Sequence, residues 1–181
     1  MTSSARSLDT LNPLVLTLKL DSIAFEILNP LRQQHFPPKR NFLPAHVTLF
    51  HALPGDREPA IRETLQTLCD QTSALPIRFP RVRSLGGGVA IEIESPELIQ
   101  LQHHLAQGWN DWLSKQDRQG YRPHVTIQNK VTADEARQLY DRLSSEWQPL
   151  DGYGEAGWFQ GLERKMRMDW NHHKSSRPCP S

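Results

Sequence analysis

At 181 residues the chain is long enough for one ordinary domain with a sizeable core, or for two small lobes sharing one. Hydrophobic residues make up 37% and charged residues 23%, which excludes a disordered chain. A formal net charge of +1 excludes an electrostatic glove for long nucleic acid, so any nucleic-acid ligand would be held by a few phosphates in a local pocket.

Residues 1–13 read as a flexible N-terminus. Leu14, Leu16, Leu18 and Leu20 then alternate with Val15, Thr17 and Lys19, the period of a strand buried on one face. Thr17 and Lys19 interrupt the run, so it is not the core of a signal peptide. Asp21 offers a helix cap, and Phe25, Leu28 and Leu31 follow at helical spacing, with Pro30 expected to kink or shorten the helix. After the Pro-rich basic loop Phe36 to Asn41 comes an apolar-polar run from Ala45 to Phe50. A turn at Pro54-Gly55-Asp56 leads to a helix carrying Ile61, Leu65 and Leu68, then a short strand near Ile77 to Val82.

The second half repeats this order. Val89, Ile91 and Ile93 alternate as a strand, and Ser95-Pro96-Glu97 is a strong helix start. Leu98, Leu101, Leu105, Trp109 and Trp112 form an apolar stripe. The polar loop Lys115 to Gly120 precedes Arg122-Pro123-His124-Val125-Thr126-Ile127-Gln128. Thr132-Ala133-Asp134-Glu135 is a capping box opening a helix with Ala136, Leu139, Tyr140, Leu143 and Trp147. A last strand is expected near Gly157 to Leu162, and residues 163–181 form a weakly specified basic tail. Each half reads strand, helix, long loop, strand with His-Val-Thr, helix, strand, which points to a duplicated domain over 14–162. Cys69 fits a small core position and Cys179 a frayed end, with neither a disulfide framework nor metal-ligand spacing. No stretch reaches transmembrane length, so a reduced, cytoplasmic, monomeric protein without a membrane is expected.

Residues two apart on a strand share a face. His46, Thr48 and Phe50 therefore point one way and Val47 and Leu49 the other; Arg122, His124, Thr126 and Gln128 share a face in the same manner. Polar faces on otherwise buried strands are expensive unless they line a cleft. Two such faces turned together would hold two imidazoles and two hydroxyls. That set suits phosphodiester transfer: one neutral imidazole takes a proton from the attacking oxygen, and a protonated one gives a proton to the leaving oxygen. The threonine hydroxyls would donate to the non-bridging oxygens, where charge concentrates. Eight histidines and nine threonines yield about 0.4 His-x-Thr occurrences by chance, so two with matching aliphatic neighbours are specific.

His46-Val47-Thr48-Leu49 and His124-Val125-Thr126-Ile127 resemble the paired motifs of the two-histidine phosphoesterase superfamily. The flanking segments, Leu43-Pro44-Ala45 through Leu53-Pro54 and Arg122-Pro123 through Val131, look like its 2′-5′ RNA ligase-like branch. The resemblance implies a bilobal α+β fold in which two antiparallel sheets face a central cleft, helices outside, with pseudo-two-fold symmetry. It also implies metal-independent work on 2′,3′-cyclic or 2′-5′ phosphodiesters with no cofactor, His46 and His124 being catalytic and Thr48 and Thr126 phosphate ligands.

The remaining residues rank lower. Arg122 shares the cleft face with His124 and is a candidate phosphate ligand, whereas Lys39 and Arg40 fit a solvated loop equally well. Phe50 and Tyr121 are candidates for base stacking, set against ordinary packing. By alternation His51 falls on the face opposite His46, as a structural histidine at the strand end. His103 and His104 fit a solvated helix face, and His172-His173 in the tail is weak as a metal grip. The expected function is a phosphodiesterase opening a cyclic nucleotide phosphate or an RNA-terminal one. The alternatives are 2′-5′ cleavage or ligation, and a non-catalytic module binding nucleotides or RNA ends.

Overall fold

The computed structural model describes residues 13–72 and 74–164, with side-chain surroundings through 154. The expectations for the N-terminus, for Cys179, and for His172 and His173 lie outside the described residues. In chain order the elements are β1 (Leu14–Leu20), α1 (Ser22–His35), β2 (Val47–Leu53), α2 (Glu58–Gln71), β3 (Leu75–Phe79), β4 (Val82–Ser84), β5 (Gly88–Glu92), α3 (Pro96–Gly108), β6 (His124–Asn129), α4 (Ala133–Glu146) and β7 (Leu150–Arg164).

The strands form one curled, wholly antiparallel sheet in the order β3-β7-β1-β2-β6-β5-β4. This corrects the expectation of two separate sheets. The two motif strands meet in the middle through a single register pair, Val47 with Val125. Pairing there joins two strand edges, but one pair leaves most of their N–H and C=O groups to other partners.

Local signals explain most of the helices. Asp21 accepts from the Ala24 amide at 2.8 Å and Ser95 from that of Leu98 at 3.2 Å, and the Thr132–Glu135 capping box is complete. Pro30 does not end α1, which runs on to His35. Pro30 and Glu26 both lie on the exposed side, where water can satisfy the carbonyl that the missing N–H leaves over. The strand expected at 77–82 is broken at Pro80, which has no ladder donor. Its two parts serve different neighbours, β3 pairing with β7 and β4 with β5.

β7 begins at Leu150, well before the expected Gly157, and pairs first with β3 and then with β1. Its Asp-Gly-Tyr-Gly opening looks like a turn in sequence. Both glycines are needed because other groups pack hard against the strand: a Cβ on Gly152 would meet Asp21 and Ala24, and one on Gly154 would meet Leu18.

One buried row crosses the sheet: Val82, Ile91, Val125, Val47 and Leu18 stand in register on five consecutive strands. The helices add Ala24 and Leu28, Ile61 and Leu65, Leu98 and Leu105, and Leu139 and Leu143 to one continuous core. Full burial of each of these leucine, isoleucine and valine side chains contributes about 1.5–3 kcal/mol.

Candidate active site

The seam between β2 and β6 positions the chemistry. An antiparallel ladder with Val47 opposite Val125 sets His46 beside Thr126 and Thr48 beside His124. The valines point into the core at 0% exposure, so the two imidazoles and two hydroxyls share the other face, all half-buried. No hydrogen bond engages either threonine hydroxyl among the described residues. The structure thus brings together the four residues expected from the sequence, two from each half of the chain.

Each imidazole is oriented in the same way. His46 Nδ1 lies 2.7 Å from the carbonyl of Pro44, and His124 Nδ1 lies 2.8 Å from that of Arg122, in each case two residues back. A carbonyl can only accept, so Nδ1 carries the proton and Nε2 keeps its lone pair. Burial pushes the His46 imidazole down to about 4; the Pro44 carbonyl opposes this, and the charges of Arg32, His124 and His51 add to it. Burial also lowers His124, opposed by the Arg122 carbonyl and assisted by Arg83 and His51.

Strict alternation fails just beyond each motif. Thr17 pairs with Thr48 but Leu16 with Phe50, so β2 carries an extra residue at Leu49. Ala90 pairs with Thr126 but Val89 with Gln128, giving β6 the same bulge at Ile127. Phe50 and Gln128 are thereby turned inward, to 0% and 8% exposure. Phe50 meets Trp109 edge-on at 5.4 Å between centroids and is a core residue, which corrects its candidacy for base stacking. The buried Oε1 of Gln128 has no hydrogen-bond partner among the described residues.

The same bulge returns His51 to the side of the histidine pair, where its charge acts on both, rather than to the opposite face. Its Nδ1 lies 3.1 Å from Asp117, and the buried carboxylate also accepts the His51 and Ala52 amides at 2.8 and 3.1 Å and the Ser114 hydroxyl at 2.8 Å. Despite burial, these donors hold the Asp117 carboxyl below its ordinary value.

Because β2 and β6 share one register pair, backbone groups on either side of it need other partners. Asp117 serves the far end of β2, and the Tyr121 hydroxyl donates to the Thr48 carbonyl at 3.3 Å. At the other end Arg32, from α1, donates to the Thr126 carbonyl at 2.7 Å and to Leu43 O and Asn41 Oδ1 at 3.0 Å. Arg32 is only 5% exposed, lies 4.0 Å over the Phe36 ring, and has no carboxylate within ion-pair reach among the described residues. Burial brings it down to about 10, so it stays charged at neutral pH. Neither Arg32 nor Asp117 was legible as a site residue, since one sits in an amphipathic helix and the other in a polar loop. Tyr121 is held as a strut by its hydroxyl and lines two cavities. Arg122 is exposed, Lys39 and Arg40 lie on an exposed turn, and His103 and His104 are exposed on α3.

Among the described residues no helix is long and apolar enough to cross a membrane. No curated protein matches the chain. A comparison with protein families matches the 2′-5′ RNA ligase superfamily over residues 20–156, well over half of the chain. With paired histidines and threonines at the centre of its sheet, the chain belongs to the 2′-5′ RNA ligase superfamily, a part of the two-histidine phosphoesterases.

Proposed function

We propose that the protein is a phosphodiesterase that opens 2′,3′-cyclic phosphates on nucleotides or RNA ends by acid-base catalysis between His46 and His124, without a metal. The observation that carries this is the matched tautomer. Two imidazoles on opposite strands each donate Nδ1–H backwards to a carbonyl and keep the Nε2 lone pair, and each stands beside the other motif's threonine. A binding site has no need of two proton-transfer atoms on one face.

His46, held neutral by burial and by Arg32, is the base that takes a proton from the attacking water at Nε2. His124 is the acid. Its depressed proton affinity rises when a phosphodiester anion enters the cleft, and Nε2–H then protonates the departing ribose oxygen. Thr48 and Thr126 donate to the non-bridging oxygens as charge builds there. Tyr121, at the edge of the cleft, is the aromatic left to pack against a base. The same groups support 2′-5′ phosphodiester cleavage or its reversal, which the family's name favours as the second reading.

A duplicated, pseudo-two-fold architecture fits the pairing. β1·β2 and β5·β6 share one register and one bulge, and the burial sequence from His46 to His51 repeats from His124 to Asn129. The test is to incubate the protein with 2′,3′-cyclic nucleotides and 2′-5′ dinucleotides and to identify the products, with and without a chelator. Cyclic phosphate opening that survives chelation and is lost in His46→Ala and His124→Ala supports the proposal. Full activity in either variant would falsify it.

A further inference from the structure

We propose that Arg83 and Arg122 form a second anion subsite beside the histidine pair, which takes the phosphate of an adjoining nucleotide and makes an oligonucleotide end the preferred substrate. This rests on the phosphodiester reading of the site and adds the substrate's length to it.

The strand register supplies the geometry. Arg83 on β4 pairs with Ala90 on β5, which pairs with Thr126 on β6, so the three stand in one row. Directly paired residues share a face, which puts Arg83 on the face of the catalytic quartet, two strand spacings or roughly 10 Å from Thr126. The residue between them is alanine, whose methyl leaves the arginine side chain room to lean towards the cleft. In the neighbouring row Glu92 pairs with His124. Arg122 reaches the same region from the loop, its own carbonyl holding His124.

Arg83, Arg122 and Tyr121 line one cavity of about 470 Å³. Glu92 and Glu94 also line it, but both are engaged by Arg81. Glu92 is gripped by two bonds of 2.9 Å, and Glu94 lies 3.9 Å from the same guanidinium. No hydrogen bond or ion pair engages the side chain of Arg83 or Arg122 among the described residues. Glu92 also feels the charges of Arg83 and Arg122. Two carboxylates against three guanidinium groups nevertheless leave positive charge in excess, and an anion can pair with the two arginines that Glu92 does not hydrogen-bond. Their planar forks match phosphate oxygens in pairs. The field of Arg83 already reaches His124 and lowers its proton affinity, so a phosphate bound between the arginines would ease the protonation that the acid needs. With a net charge of only +1, this is a local site for one further phosphate rather than a track for a long strand.

The experiment compares kcat/KM for a cyclic mononucleotide and for a dinucleotide ending in the same 2′,3′-cyclic phosphate, in the native protein, R83Q, R122Q and the double variant. In parallel, calorimetry measures binding of the corresponding mononucleoside and dinucleotide 3′-phosphates, which need no turnover. Both side chains are at least partly exposed, so the variants fold. The native protein should favour the dinucleotide by about tenfold or more in both measurements, the scale of one charge-assisted contact. The double variant should bring the ratio to within about twofold. A binding preference without any turnover would keep the subsite and reject the phosphodiesterase. Equal ratios in native and double-variant protein, or no preference in the native protein, would overturn the subsite.

Discussion

Replacing Arg32 by methionine tests how the seam is held. The guanidinium makes three hydrogen bonds, but Nε is shared between Asn41 and Leu43, so it counts as about two full bonds. Bonds from a charged donor contribute about 1.5–3 kcal/mol each, or roughly 3–6 kcal/mol together. Against this, burial lowers the guanidinium to about 10, which puts on the order of 3 kcal/mol on keeping a charge there. Methionine removes both contributions, so Arg32→Met should destabilise the fold by no more than about 3 kcal/mol. Lysine keeps the buried charge and loses the fork, so Arg32→Lys should be at least as destabilising although it looks more conservative. The two variants should part in their effect on His46. Without the cation its pKa rises above about 4, yet stays below 6.5 because burial is the largest cause; with lysine it moves little. Urea denaturation reads the first effect, and NMR titration of the imidazole resonances reads the second. A lysine variant more stable than the methionine variant, or a His46 titration unmoved in Arg32→Met, would refute the argument.

Acidification gives a second prediction. The unfolded chain protonates His46 near 6.5 while the folded chain refuses the proton down to about 4, so stability falls as pH falls through that window and levels off below it. The loss attributable to His46 is about 2–3 kcal/mol, and denaturation at pH 7 and pH 5 should show a smaller drop in His46→Ala than in the native protein. If His46 and His124 act as proposed, replacing either by alanine should lower turnover by about 10² to 10⁴ while leaving the fold intact at neutral pH, as checked by initial rates and circular dichroism. Gly88→Ala should cost at least about 1–3 kcal/mol by thermal denaturation, because the added Cβ would lie within contact of the Gln128 backbone and force β5 away from β6. Asp117→Asn should destabilise by about 2 kcal/mol, since an amide must turn an NH2 towards donors the carboxylate now accepts from; equal stability by urea denaturation would count against that network.

The helices and the quartet were legible in the sequence because they rest on local signals. Asp21, Ser95 and Thr132 cap helices by bonds to amides three residues on, and a His-x-Thr pair on any strand must share a face. The tertiary structure decided what depends on partners distant in the chain. Pairing of β2 with β6 merged the expected two sheets into one. The bulges at Leu49 and Ile127 arise from register against β1 and β5; they sent Phe50 and Gln128 into the core and brought His51 back to the cleft. The glycines of β7 look like a turn until Leu18 and α1 press against them. Arg32 and Asp117 matter because a one-pair seam leaves backbone groups to satisfy at each end. Alternation is a property of one strand and is written in its residues, whereas register and the needs of an unpaired edge belong to two strands at once, and no single segment encodes them.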